Sequence, residues 1–231
     1  GFFMTSAHTL PSFDPRRVPV VGLDAHLPKV HAQAMRPLAL AQRFAQPPIW
    51  TPELKGEPRF SDRVPVHASV LVPLVLREEG LTVLLTERTT HLSSHSGQIA
   101  FPGGKADPDD SSETDTALRE AEEEIGLNRH DVEVLGHLPL YTTGSAFIVT
   151  PVVALVQPDY TMTLNPHEVA DAFEVPLDFL MDPANHRRHA VEWAGSTREW
   201  FSMPYQDAIA ERFIWGATAG MLRNFYRFLV A

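Results

Sequence analysis

The chain has 231 residues, 44% of them hydrophobic, enough for one large domain or for one domain with extensions. Its formal charge of −10 excludes a sequence-independent nucleic-acid binder, and its lack of cysteine excludes a disulfide framework and thiol chemistry. No apolar run reaches membrane-spanning length and no signal peptide is visible, so a cytoplasmic protein with no membrane partner is expected.

Residues 1–62 carry a weak, proline-rich pattern. His31–Phe44 predicts a short helix broken near Pro37, because proline lacks the amide that an interior turn needs. The stretch 1–62 reads as an arm packed on a domain that covers 63–231. A homodimer contact or a substrate wall is the competing use. Val64–Leu76, a Glu78-Glu79-Gly80 turn and Leu81–Thr86 read as a hairpin. Thr89–Gly97 is a polar loop with three serines and two histidines. His91 and His95 stand at no familiar ligand spacing to carboxylates, so they are expected to bond to backbone or substrate.

The densest carboxylate cluster follows. Between Lys105 and Glu124 nine acidic residues stand against two basic ones. Ser111 and Ser112 are natural N-caps and Gly126 is a natural stop, which predicts a helix from about Ser112 to Ile125. Helical spacing puts Glu120, Glu123 and Glu124 on one face, with Glu113 behind them. Thr114, Ala117, Leu118, Ala121 and Ile125 fall on the core face. Like charges three or four apart repel by a few tenths of a kcal/mol per pair, and an ordinary surface helix would scatter lysines among them. A divalent cation resolves the conflict, since Mg²⁺ takes carboxylate oxygens and keeps waters and substrate phosphates as its other ligands. Phe101-Pro102-Gly103-Gly104 lets backbone approach closely and offers a carbonyl to the same ion.

Beyond the helix, Val132–Leu140 and Phe147–Val156 read as strands around a Tyr141–Ser145 loop. Asn165–Asp171 is a loop or short helix carrying Glu168. Ala172–Val175 is a short strand, and Pro176–Met181 a short helix with proline at its first position. Arg188–Trp193 and Thr197–Phe201 pair as a hairpin around Ala194-Gly195-Ser196. Ile214–Val230 predicts an amphipathic helix burying Trp215, Ala219, Leu222, Tyr226 and Leu229. There is no internal repeat and no regular βαβ alternation.

The acidic helix resembles the box of the Nudix hydrolases, G-x5-E-x7-R-E-U-x-E-E-x-G-U with U apolar. Arg119-Glu120-Ala121-Glu122-Glu123-Glu124-Ile125-Gly126-Leu127 matches the second half at every fixed position. In the first half Asp110 stands in place of Glu, and the spacing from Asp110 to Arg119 is one residue too long. The missing role falls to Asp110 or Glu113. Upstream, Leu84-Leu85-Thr86-Glu87-Arg88-Thr89, Gly97 and Phe101-Pro102-Gly103-Gly104 resemble the additional motif of coenzyme A pyrophosphatases, LLTxR(S/A)-x3-R-x3-G-x3-FPGG, with Ser93 where that motif has Arg. The runs Asn165–Val169, Val175-Pro176-Leu177 and Phe213–Gly216 look like the same subfamily.

The resemblance implies the Nudix fold, an α+β member of the broad α/β class with a mixed β-sheet sandwiched between helices. It implies Mg²⁺ or Mn²⁺ as cofactor, held by Glu120, Glu123, Glu124 and the Gly104 carbonyl. It implies Glu120, Glu168 and Arg119 as the catalytic set, with Glu120 and Glu168 both open as general base and Arg119 orienting carboxylates or the loop. Arg88, Gly97, Phe101 and Gly103 are the implied substrate-binding positions. The implied reaction is hydrolysis of the pyrophosphate bond of coenzyme A to 3′,5′-ADP and 4′-phosphopantetheine. A 3′-phosphate calls for a basic pocket, for which Arg63, Arg88, Lys105, Arg187 and Arg188 are available. Trp193, Trp200, Trp215 and Tyr141 are read either as core or as stacking on adenine. Two other readings compete: a pyrophosphatase for ADP-ribose, NADH or a modified nucleotide, and a non-catalytic nucleotide-binding module. All three box glutamates are present, which favours catalysis.

Overall fold

The computed structural model describes residues 14–89 and 97–231. In chain order its regular elements begin with β1 (Val20–Leu23), α1 (Pro37–Ala45), β2 (Val66–Val75), β3 (Thr82–Arg88), β4 (Ile99–Ala100), β5 (Gly103–Lys105) and α2 (Glu113–Ile125). They continue with β6 (Val132–His137), β7 (Tyr141–Thr142), β8 (Phe147–Val156), β9 (Val169–Pro176) and α3 (Leu177–Leu180). The last are β10 (Arg187–Trp193), β11 (Ser196–Ser202), β12 (Tyr205–Gln206), β13 (Glu211–Arg212) and α4 (Gly216–Val230).

The main sheet runs β4-β3-β2-β8-β6, with β5 added to β2, β7 to β8 and β9 to β3. Its centre is the parallel pair β2 and β8, matched from Val66↔Phe147 to Val75↔Val156. Both strands are nearly continuous runs of apolar residues, the pattern of a strand covered on both faces. The other pairings are antiparallel, so the sheet is mixed. On one face Ala117, Ala121 and Ile125 of α2 pack against Leu71, Val75, Leu84 and Val152. On the other, Leu222 and Phe225 of α4 share a core with Val70, Val72, Leu85 and Val153. Each such side chain fully buried contributes about 1.5–3 kcal/mol. A separate sheet, β1-β10-β11, lies outside the main one.

The predicted hairpin of the first two core strands holds only at its closed end, Leu74↔Val83 and Val75↔Thr82. Further back β2 leaves β3 and pairs with β5 instead, Ala68↔Lys105 to Val70↔Gly103. The fork this creates brings the glycine loop over the sheet. Pro37 opens α1 instead of breaking a helix, since a first-turn amide has no partner to lose, and a separate 3₁₀ turn precedes it at Ala32–Met35. Pro176 caps α3 from outside. The strand expected over Ala172–Val175 extends from Val169 to Pro176, and Tyr141-Thr142, expected in a loop, pairs with β8.

The largest correction concerns α4. It is buried on almost every side, not along one stripe. The arm supplies the second cover. Phe44 and Trp50 stand with ring centroids 4.8 and 5.1 Å from Phe228. Asn224 donates to the Leu54 carbonyl at 2.7 Å and accepts from the Leu54 amide at 2.9 Å. Arg223 is completely buried between Asp24 and Glu53, each at 2.8 Å. Among the described residues no helix is long and apolar enough to cross a membrane.

Candidate active site

The acidic helix forms where local signals place it. The Ser112 hydroxyl accepts from the Asp115 amide at 3.1 Å, and Gly126 takes the left-handed conformation (φ 68°) that ends the helix. The Gly126 amide returns to the Glu122 carbonyl at 2.9 Å. Thr116, Ala117, Ala121 and Ile125 are buried under it.

The single acidic face expected from helical spacing divides three ways. Glu124 is buried, 4% exposed, and its Oε1 has no hydrogen-bond partner among the described residues. Glu120 lies against β5: a Cβ built on Gly104 would meet the Glu120 carboxylate at 2.5 Å, so any larger residue there would displace that carboxylate. Glu123 stays exposed and accepts from Arg119 Nη1 at 3.3 Å. Burial pushes the Glu120 carboxyl up from its ordinary value. Burial pushes Glu124 well above the carboxylate range, and the charges of Glu120 and Glu168 add to the effect.

Arg119 ties these groups together. Its Nε and Nη2 grip Asp110 at 2.7 and 3.0 Å, a two-point fork that favours a planar carboxylate. Nη1 reaches Glu120 at 3.1 Å, and Nη2 also donates to the Lys105 carbonyl at 3.1 Å. Asp110 is fixed from its other side by the Thr116 hydroxyl at 2.7 Å and the Asp107 amide at 2.9 Å. The Arg119 fork, first among these, holds the Asp110 carboxyl well below its usual range. Of the two candidates for the displaced first box carboxylate, Asp110 therefore meets Arg119. Glu113 is exposed on the first turn of α2. Thr116, read as no more than helix, was the residue that sequence reasoning missed; its spacing of six from Asp110 carries no periodic signal.

Glu168 comes from 43 residues beyond the helix's last residue, Ile125, yet it belongs to the same cluster. The Thr163 and Asn165 amides donate to the carbonyls of Ile125 and Glu124 at 2.9 and 2.8 Å, hanging the loop on the end of α2. The Glu168 amide turns back to Asn165 at 3.1 Å, and its carbonyl accepts from Thr89 at 3.2 Å. Arg88, at the end of β3, is 6% exposed. Burial lowers its pKa, while the charges of Glu124 and Glu168 act to hold its proton. Gly97 donates to the Arg88 carbonyl at 3.0 Å. Thus Glu120, Glu124, Glu168 and Arg88 form one electrostatic group at the fork of β2.

Other predicted positions lie elsewhere. Phe101 is 2% exposed and packs in the core, because β4 and β5 turn its ring inward under α4. Gly103 abuts the Ser69 carbonyl, with no room for a Cβ. Arg63 lies over the Phe147 ring and donates to the Ser145 carbonyl, and Arg188 is held by Asp24 at 3.0 Å. Ser93, His91 and His95 lie outside the described residues.

Among the described residues no three His, Cys, Asp or Glu side chains gather as a ready cation cage. The donor set nevertheless fits a hard cation. Two desolvated carboxylates repel each other, one of their oxygens lacks a donor among the described residues, and glycine backbone lies beside them. An ion that keeps waters and phosphate oxygens needs few protein ligands.

The family model of the NUDIX domain matches residues 65–194, more than half of the chain. A protein of Yersinia enterocolitica named Uncharacterized Nudix hydrolase NudL is 45% identical over 158 residues, 68% of this chain and 78% of its own length. Its namesake in Yersinia pestis is 42% identical over 68% of this chain and 77% of its own. A solved Ap4A hydrolase of C. elegans is similar at 22% identity and a TM-score of 0.42, over 52% of this chain and 85% of that one. The Arg-Glu-x-x-Glu-Glu helix, the mixed sheet between helices, the NUDIX domain match and the two Yersinia relatives make the chain a member of the Nudix hydrolase family.

Proposed function

We propose that this hydrolase cleaves the pyrophosphate bond of coenzyme A and its derivatives, releasing 3′,5′-ADP and 4′-phosphopantetheine. The observation that carries the reading is Arg88. It ends the Leu84–Arg88 run that resembles the coenzyme A pyrophosphatase motif, and it lies nearly buried beside Glu124 and Glu168. A guanidinium there suits a phosphate oxygen with a two-pronged contact.

Glu120 and Glu124 are the residues we assign to hold Mg²⁺ or Mn²⁺, with Glu123 and the Gly104 carbonyl at its edge. When bound, such an ion neutralises charge on the pyrophosphate and on the leaving phosphate. The chain's own groups do the rest. Glu168, on the loop hung from α2, takes a proton from the attacking water; a carboxylate free of metal is the better base, which places it ahead of Glu120. Arg88 steadies the phosphate under attack. Arg119, locked by Asp110, holds Glu120 in place and touches no substrate. Water displaces one phosphate from the other with no covalent intermediate. Gly97 lets backbone approach the substrate.

The test is mass spectrometry of the products formed from coenzyme A with Mg²⁺ or Mn²⁺, with EDTA as control. Metal-dependent 3′,5′-ADP and phosphopantetheine are expected. Serine at position 93 in place of the motif arginine supports a second reading, a pyrophosphatase for another nucleoside diphosphate derivative such as ADP-ribose or NADH. Equal turnover of ADP-ribose and coenzyme A would establish that reading instead.

A further inference from the structure

The β10–β11 hairpin, the first turns of α4 and the segment 53–60 enclose a cavity of about 290 Å³. No residue of the box or of the upstream motif lines it. Its walls include Trp193, Trp200, Phe60 and Tyr141. One polar side chain on those walls is left incomplete, and another is thinly held. The Glu57 carboxylate accepts one hydrogen bond, from the Gly144 amide at 3.3 Å. Burial pushes its carboxyl up to about 7, and no cation offsets it among the described residues. Arg198 lies with its guanidinium 4.8 Å from the centre of the Trp193 ring. Its Nε is buried and meets no acceptor among the described residues.

A buried donor without an acceptor, such as the Arg198 Nε, is costly unless something fills the space. An apolar hollow with a few convergent polar groups is the common form of a small-molecule pocket. The groups also select the guest. A hydrocarbon would leave the Arg198 Nε unpaired. An alkylammonium ion would find Glu57 and Glu199 on these walls but would bring no acceptor to the Arg198 Nε. An amino-substituted purine-type ring brings N–H donors to Glu57, ring nitrogens to Arg198 and flat faces to the indoles.

We propose that this cavity is a pocket for the amino-heteroaromatic base of a nucleotide, held between aromatic walls with Glu57 and Arg198 at its polar edges. The pocket is tied through α4 to the strand that follows Gly97. Gly216 of α4 lines it, while Thr218 of the same turn donates to the Ile99 carbonyl at 3.0 Å, two residues past Gly97. That the base belongs to the molecule being cleaved rests on the function proposed above; the existence of the pocket does not.

The test is titration of the intrinsic tryptophan fluorescence of the full chain with AMP in EDTA, with ribose 5-phosphate as control. AMP should quench saturably and ribose 5-phosphate should not. Arg198→Ala and Glu57→Gln should each weaken AMP binding roughly tenfold, and Glu120→Gln should leave it unchanged. Circular dichroism checks each fold. Should Glu57→Gln misfold, Val191→Trp, which fills the cavity from β10, serves in its place and should abolish the quench. Absence of saturable quenching, or AMP binding untouched in Arg198→Ala, overturns the pocket. A saturable response to choline in place of AMP overturns it in favour of a cation cage. The two readings fail separately. AMP binding without cleavage of any pyrophosphate-linked nucleotide sinks the proposed function and leaves the pocket; cleavage of coenzyme A by a chain that shows no saturable AMP quench does the reverse.

Discussion

Glu124 and Glu120 are expensive for the fold as it stands. Both are desolvated, they repel each other, and Glu124 has an oxygen with no donor among the described residues. Such an arrangement is retained where a cation and a phosphate complete it. Glu120→Gln keeps the shape and removes the charge. Turnover of coenzyme A should fall by roughly three orders of magnitude, the rate equivalent of about 4 kcal/mol, with the circular dichroism spectrum unchanged. Retained activity would remove Glu120 from the metal site. Glu168→Gln separates the base from the ligands. A fall in kcat of about 10²–10⁴-fold, with Mn²⁺ affinity by titration unchanged, is expected; an unaltered kcat would return the base to the box. Helical spacing alone pointed to Glu120 and Glu124, because a period of 3.6 residues is a local property. It did not reveal that Glu123 turns outward to Arg119, since that depends on how deeply each side of α2 is covered.

At the scale of elements, the ends of α2 were legible because Ser112 and Gly126 act on their own neighbours. The insertion before it was not. The extra residue between Asp110 and Arg119 breaks the motif's spacing, yet the turn from Asp107 to Ser112 absorbs it and delivers a carboxylate to the same guanidinium. Asp110 is thus a positioning residue, acting on Glu120 through Arg119. Asp110→Asn leaves the shape but weakens the fork. We expect kcat to drop about tenfold, near 1.4 kcal/mol, with KM for coenzyme A unchanged. If kcat stays constant while only the melting temperature falls, the pair serves stability alone. The β2–β3 hairpin was legible at its turn but not in its extent, because the choice of β5 as the next partner is made by residues 33 to 37 positions away.

For the whole molecule, the least legible feature is the cover over α4. Arg223 and Asn224 look like solvent-facing residues until Asp24, Glu53 and Leu54 arrive from the arm. The same network fixes His186. Its Nδ1 faces Arg223 Nη1 at 2.9 Å and its Nε2 faces the Leu180 carbonyl at 2.7 Å, which leaves room for the neutral ring only. Burial lowers its pKa from 6.5 to about 4. Between those values the unfolded chain binds the proton and the folded chain does not. Stability present above pH 6.5 is therefore lost as pH falls toward 4, by at most about 3 kcal/mol. Urea midpoints at pH 7 and pH 4.5 should show a smaller loss in His186→Gln than in the parent; equal losses would assign the acid sensitivity to the carboxylates.

The wrapped helix also sets an order of events at the ribosome. The bond from the Tyr226 hydroxyl to the Pro28 carbonyl spans 198 residues, and the Leu54–Asn224 exchange spans 170. The segment from Pro28 to Leu54 has nothing to clasp until the helix some 170 residues downstream has emerged. Contacts this distant in sequence slow the search for the native state and leave Phe44 and Trp50 uncovered while translation proceeds. The arm, made well before α4, is the part that settles late.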